Sequence, residues 1–250
     1  MKFLYLIYHW LIAVPLFIIA TAITAITTSI GSILGKVDFW GYWPAHYWSK
    51  FSCWVFLIHV KVIGKENIDK KTSYIFVANH QGAYDIFTIY GFLGHNFKWL
   101  MKKSLEKIFL VGAACRNARH IFVDDTKIAA IKETISKAED TLKDGMSLVI
   151  FPEGSRSWDG KMVPFKRGAF MLAAEFNKPV VPVTIEGSFA RCARFATNVS
   201  PGKIILSIHK PILPGPKGFN TKQLMNDCRE AIESGLYEEN KGVSAGQRVK

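Results

Sequence analysis

Tyr74-Ile75-Phe76-Val77-Ala78-Asn79-His80-Gln81-Gly82-Ala83-Tyr84-Asp85 is the stretch from which the architecture can be read. Its first five residues are apolar, mostly β-branched or aromatic, as in a buried strand. Asn-His-Gln-Gly is turn chemistry. Asp85 and the apolar residues after it begin a helix over 85–92, where an acidic side chain complements the helix dipole. The unit is strand, loop, helix. Its spacing also constrains chemistry. On a continuous helix His80 and Asp85 would sit about 140° apart. They can pair only with His80 in the loop and Asp85 in the first helical turn. An imidazole braced in this way has one ring nitrogen anchored and the other free to take a proton from a hydroxyl. An ordinary polar turn with an Asp near a helix start carries the same letters, so the stretch alone leaves both readings open.

A second junction has the same form. Ser147-Leu148-Val149-Ile150-Phe151 is a strand candidate, and Pro152-Glu153-Gly154-Ser155-Arg156-Ser157 follows it directly. Pro152 stops the strand, Gly154 permits a tight turn, and Ser155 and Arg156 offer donors. A guanidinium fork matches phosphate oxygens geometrically. Further on, Lys166 and Arg167 add two cations beside Gly168, which can open a helix whose amides also face an anion. A polar turn with Arg156 paired to Glu153 is the plainer reading of this segment. Together the two junctions offer a base and a set of phosphate donors. Both fall at carboxyl ends of strands, where ligands bind in open α/β sheets.

Outward from these, strands are expected at 58–63, 74–78, 120–123, 147–151, 180–185 and 203–209, and helices at 85–92, 104–113, 127–143, 166–176 and 221–236. In 127–143, Ile128, Ile131, Ile135, Ala138 and Leu142 form a core stripe, with Gly145 as a stop. The alternation predicts an α/β layered fold with a largely parallel central sheet flanked by helices, preceded by an N-terminal membrane-associated helical segment. The expected divisions are 1–60 for that segment, 61–236 for one catalytic domain, and 237–250 for a disordered tail.

From Phe3 to Leu34 the chain carries no Asp, Glu, Lys or Arg, which exceeds the roughly 20 residues needed to span a bilayer. A cleaved signal peptide, a single span and a re-entrant or interfacial hairpin all fit this run. Trp40, Trp43, Trp48 and Trp54 follow it with Phe39, Tyr42, Tyr47 and Phe51, as an interfacial belt would. Lys36, Lys50, Lys61 and Lys65 lie after the apolar run and only Lys2 before it, which puts the rest of the chain on the cytoplasmic face of the inner membrane. The net charge of +12 suits an anionic leaflet. Lys98, Lys102, Lys103, Lys107, Arg116 and Arg119 are the expected basic face. The cations are not interleaved with exposed aromatics in an RNA-binding pattern, so nucleic acid is not an expected partner. Cys53, Cys115, Cys192 and Cys228 are scattered and have no metal-ligand spacing.

Taken together, these motifs resemble those of the glycerolipid acyltransferases, specifically the 1-acyl-glycerol-3-phosphate acyltransferases. That family's first motif, Asn-His with Asp five residues after the His, is matched by Asn79, His80 and Asp85. Its Phe-Pro-Glu-Gly-Thr-Arg-Ser motif is matched by Phe151 to Ser157, with Ser155 for Thr. Its Lys-Lys-x-Leu segment resembles Lys102 to Leu105, and its apolar motif around a Pro resembles Val180 to Val183. The similarity covers roughly residues 60 to 210. There are two departures. The family's second motif usually ends in Asp-Arg, where this chain has Asp124-Asp125, with Arg116 or Arg119 as candidate replacements for the cation. Gly82 stands where Ser is common.

Residues and resemblance jointly imply direct acyl transfer. His80 acts as base toward the acceptor hydroxyl, and Asp85 fixes its tautomer. Arg156, with Lys103, Lys166 or Arg167, holds the acceptor phosphate alongside Gly154 and Ser155. Glu153 orients the Arg or bonds the glycerol. The resemblance implies a lysophospholipid acceptor, most simply 1-acyl-sn-glycerol-3-phosphate, and an acyl carrier protein or coenzyme A thioester as donor. It implies no cofactor, no metal, and seating in the lipid bilayer through a short helical pair. An acyltransferase for another lysolipid head group, and a membrane-bound lipid hydrolase using the same base, are the alternatives.

Overall fold

The computed structural model describes residues 2–124 and 128–236. At the amino end, α1 (Lys2–Tyr8), a π-helical stretch (His9–Ala13) and α2 (Val14–Ile33) run on from one another. The run Phe3–Ile33 is long and apolar enough to cross a membrane. Its orientation is inverted relative to a soluble helix. Tyr5, Tyr8, His9, Thr21 and Thr28 face the protein, while Leu4, Ile7, Leu11, Ile18, Ile19, Ile23, Ile26 and Ile30 are exposed. The two tyrosines are tied down. The Tyr8 hydroxyl donates to the Val55 carbonyl at 2.7 Å, and that of Tyr5 to the Val199 carbonyl at 3.0 Å. After α3 (Val37–Trp40), α4 (Trp43–Val55) packs against α2, and Trp48 Nε1 donates to Thr21 Oγ1 at 2.9 Å. The expected aromatic belt is divided. Phe39, Trp43, Tyr47 and Trp54 are exposed, whereas Tyr42, Trp48 and Phe51 pack inward.

Among the described residues one seven-stranded sheet forms from β1 (Ile58–Ile63), β2 (Ile75–Ala78), β3 (Phe97–Lys102), β4 (Ile121–Val123), β5 (Ser147–Ile150), β6 (Val180–Glu186) and β7 (Gly202–Ile208). The order is β1-β7-β6-β2-β5-β3-β4. Strands β2 to β6 are mutually parallel, β7 runs antiparallel to β6, and β1 runs parallel to β7. The helices α5 (Tyr84–Phe92), α6 (Val111–Asn117), α7 (Ile128–Lys143), α8 (Gly168–Glu175), α9 (Ser188–Arg191) and α10 (Thr221–Ser234) complete the layers. The fold is α/β with a largely parallel sheet.

Both faces of the sheet are covered, which is why its central strands read as continuous apolar runs. Phe76 and Ala78 face a cluster with Phe87 and Ile89 of α5. Ile75 and Val77 face the opposite cluster, with Ala138 and Leu142 of α7, Phe170 of α8 and Ile232 of α10. Ile135 packs on that second cluster, so this part of the expected stripe is core. Pro182 is tolerated in a central strand because its carbonyl accepts from His209 N on the β7 side. The missing N–H therefore faces that edge, before the β6–β7 ladder begins at Val183, and the pairing with β2 is untouched.

Three expectations are corrected. Strand β3 was not anticipated, because Lys98 and Lys102 disguise it as a basic surface. Lys98 is in fact 4 % exposed and bonds Asp38 at 3.0 Å. Burial pushes its ammonium below the ordinary value while Asp38 opposes the shift, so Lys98 is not part of a lipid-facing patch. Instead of one helix over 104–113, a 3₁₀ segment (Lys103–Lys107) precedes α6, and the chain bends at Leu110, whose φ is +60°. Asp125 and the expected tail, 237–250, lie outside the described residues.

Candidate active site

β2 and β5 are neighbours and parallel, so the turns leaving their carboxyl ends emerge side by side. Asn79 fastens the first turn. Its side chain, fully buried, donates to the Ile185 carbonyl at 2.9 Å and accepts from Ile185 N at 2.8 Å, extending the β2–β6 pairing by one side chain. His80 then leaves the sheet and Asp85 sits in the first turn of α5, as the spacing requires. His80 Nδ1 lies 2.8 Å from Asp85 Oδ2, and the same oxygen accepts from Gln81 N at 2.7 Å and Gly82 N at 2.9 Å. Three donors on one carboxylate oxygen hold it rigidly in place. With Nδ1–H committed to Asp85, Nε2 is left as the proton acceptor. Phe151 stacks on the ring, with centroids 4.0 Å apart and planes at 7°. The His80 side chain keeps 14 % exposure and that of Asp85 none.

The second turn is clipped to the backbone of the first. Glu153 Oε1 accepts from His80 N at 2.6 Å, and Ser157 N donates to the His80 carbonyl at 2.9 Å. The segment carrying Gly154, Ser155 and Arg156 thus lies astride His80. Gly154 adopts φ +73°, and a Cβ there would meet Lys166 Cε at 2.9 Å, so the Lys166 arm passes over the turn. Arg167 is exposed at the start of α8. Lys103 is drawn elsewhere, toward Asp124 at 3.7 Å. It lines a cavity of about 570 Å³ with Arg116 and Arg119, to which His80, Asp85 and the 153–157 turn contribute nothing. Arg116 is itself paired with Glu106 at 3.0 Å.

Glu153 differs from the expectation that it orients Arg156 or a glycerol hydroxyl. It is 4 % exposed, and its other oxygen, Oε2, accepts from Val163 N at 2.9 Å. Both oxygens hold backbone, so it is a strut under His80. Burial raises its carboxyl above the usual range, and the two backbone bonds pull the other way. Gly82 also has a local cause. A Cβ there would meet Ser188 Oγ at 2.5 Å, Ser188 O at 2.6 Å and Cys192 O at 2.8 Å, so the close approach of α9 forbids any side chain. Burial pushes the Cys192 thiol up against the pull of Arg156, which makes it a poor nucleophile.

The sequence reading missed several residues around this centre. Trp99 stacks on Phe151 at 5.3 Å. Gln81 Nε2 donates to the Gly160 carbonyl at 2.8 Å and secures the loop beyond Ser157. Arg194 Nη1 donates to the Arg156 carbonyl at 3.0 Å. Long-range contacts of this kind leave no periodicity or spacing in the chain.

The Acyltransferase family model matches residues 59–186. A 1-acyl-sn-glycerol-3-phosphate acyltransferase of Chlamydomonas reinhardtii is 33% identical over 181 residues, covering 71% of this chain and 53% of its own. One from Saccharomyces cerevisiae is 36% identical over 165 residues, covering 62% and 52%. The chain thus spans about half the length of the curated relatives it matches. The crystal structure of the 1-acyl-sn-glycerophosphate (LPA) acyltransferase PlsC from Thermotoga maritima has a similar fold. It gives a TM-score of 0.77 at 28% identity, over 99% of this chain and 98% of that one.

Proposed function

The chain belongs to the Acyltransferase family, and from that premise we propose that it moves a fatty acyl group from a thioester to the free hydroxyl of a lysophospholipid, 1-acyl-sn-glycerol-3-phosphate being the acceptor its relatives' names favour. The observation that carries this reading is the His80–Asp85 pair at 2.8 Å beside a turn bearing Arg156. In the proposed step His80 Nε2 takes the hydroxyl proton as the oxygen attacks the thioester carbonyl. Asp85 stabilises the imidazolium, and the same proton then passes to the departing thiolate. Arg156 holds the acceptor phosphate by paired charged hydrogen bonds, with Ser155 and the Lys166 ammonium alongside. A thioester needs no enzyme nucleophile, and alignment of two bound reactants supplies about 7–11 kcal/mol of the barrier reduction. The donor is an acyl carrier protein or coenzyme A thioester.

The same reading seats the protein on a bilayer, at the cytoplasmic face. The outward isoleucines and leucines of α1 and α2 would cost about 25 cal/mol per Å² if left in water, and the inward tyrosines, His9 and Thr21 bond the protein. A helix packed along one side in this way lies in the interface as a pair with α4. Replacing His80 with Ala tests the proposal. Turnover should fall by about 10²–10⁴-fold with vesicle binding retained. Acyl thioester supplied with and without lysophospholipid separates transfer from hydrolysis, and release of free fatty acid without any acceptor product would refute it.

A further inference from the structure

Trp158 and Phe195 are 69 % and 70 % exposed, yet their rings sit 5.1 Å apart on two different loops. Arg194 lies over both, its guanidinium 4.4 Å from the Trp158 ring centre and 5.5 Å from that of Phe195. Two large aromatics held together by a cation but left open to solvent form an apolar patch that no other described residue covers. Its position is specific. Arg194 donates to the Arg156 carbonyl, so the patch is bonded to the turn beside His80. Val199, in the same loop, is bonded on both sides to the first helix. Its carbonyl accepts from the Tyr5 hydroxyl at 3.0 Å, and its N–H donates to His9 Nε2 at 3.1 Å. The loop that carries Phe195 is therefore tied to the helix whose outward face carries Leu4, Ile7 and Leu11.

We propose that Trp158, Arg194 and Phe195 form a second membrane-contact site, seating the rim of the active centre in the head-group region of an anionic phospholipid bilayer. The inference rests on the lipid-acceptor reading above. An acceptor with its acyl chain in the leaflet presents its free hydroxyl at the glycerol level, so the rim around His80 must descend to that level. Amphipathic Trp and a cation stacked on it are the groups that settle there, the ring among the upper chains and the guanidinium toward lipid phosphates. Contact through α1 and α2 alone would leave the angle of the catalytic layer to the bilayer unset. A second point, bonded to the Arg156 turn, sets it.

The test uses full-length protein reconstituted into vesicles of two parts phosphatidylcholine, brominated high in the acyl chain, to one part phosphatidylglycerol. The emission of wild type minus Trp158→Phe isolates Trp158 from the other tryptophans. The expected result is a blue-shifted, bromolipid-quenched difference signal with iodide access reduced about threefold or more. Trp158 staying iodide-accessible while the other tryptophans are quenched overturns the proposal. Absence of bromolipid quenching at every tryptophan overturns the bilayer reading with it. In a second arm, Trp158→Ala/Phe195→Ala should lose about fivefold in rate toward acceptor presented in vesicles, and nothing toward a short-chain, water-soluble lysolipid with a short acyl thioester. Equal loss in both assays shows a purely structural role and overturns the proposal. If wild type transfers no acyl group in either assay, the activity assignment falls, while the quenching still decides the contact site.

Discussion

Replacing Glu153 with Gln leaves size and shape nearly unchanged but removes the titratable carboxyl and, with it, the ability of the second oxygen to accept. In the native site Oε1 accepts from His80 N and Oε2 from Val163 N, at 2.6 and 2.9 Å, in a position 4 % exposed. An amide can satisfy only one of these donors, and its NH₂ then points at the other N–H. One buried N–H loses its partner, at a cost of about 1–3 kcal/mol. For a chain of this length that lowers the unfolding midpoint by about 2–4 °C per kcal/mol, or about 4–8 °C at the centre of the range. The effect on chemistry is separable. If His80 N is the donor left unpaired, the loop carrying the imidazole shifts, and a displacement of about 1 Å can cost 10²-fold in rate. The expected result is kcat reduced about 10- to 10²-fold with the acceptor KM within about twofold, measured with radiolabelled acyl thioester, alongside the shift in a thermal scan in detergent. A strut acts on the base, whereas a ligand acts on binding. An acceptor KM raised tenfold at unchanged kcat would refute the argument, because it would mean that Glu153 touches the acceptor or orients Arg156.

The pH dependence of the same residue follows from its raised folded-state pKa. Below the unfolded value of 4.5 both states hold the proton. Between that and the raised folded value only the folded state holds it, so this contribution to stability falls as pH rises through the window and is constant above it. The midpoint gap between wild type and Glu153→Gln should narrow with rising pH in that window, and a gap that widens there would contradict the shift. Gly82→Ala should cost about 1–3 kcal/mol and depress kcat, because the added Cβ meets backbone oxygens of Ser188 and Cys192. Adding Ser188→Gly should not restore it, and full recovery in a thermal scan would show that only the hydroxyl was in the way. Arg156→Ala should raise acceptor KM by roughly 10- to 150-fold, the weight of a charged hydrogen bond. Lys103→Ala, whose cation is drawn to Asp124, should change it by less than about threefold. Reversed magnitudes would move the phosphate site to the cavity shared with Arg116.

What the sequence alone determined was local. The β2–α5 junction reads directly because a strand, a turn and a helix each leave their own composition and period, and because the five-residue step from His80 to Asp85 admits pairing in only one arrangement. The same is true of the Phe151–Ser157 turn and of the apolar run from Phe3. The sheet's class followed from the alternation of elements. Its order did not, since nothing in the letters says that β2 lies between β5 and β6, or that β7 reverses. Strand β3 was hidden because burial of Lys98 depends on Asp38, 60 positions away in the chain. Tertiary structure also decided which cations lie near His80. Arg116 and Lys103 look equivalent to Arg156 as letters, and only packing shows that they line another cavity. The roles of Glu153 and Gly82 are of this kind. One is set by two backbone N–H groups from separate segments and the other by the approach of α9, distances that exist only once the chain has closed on itself.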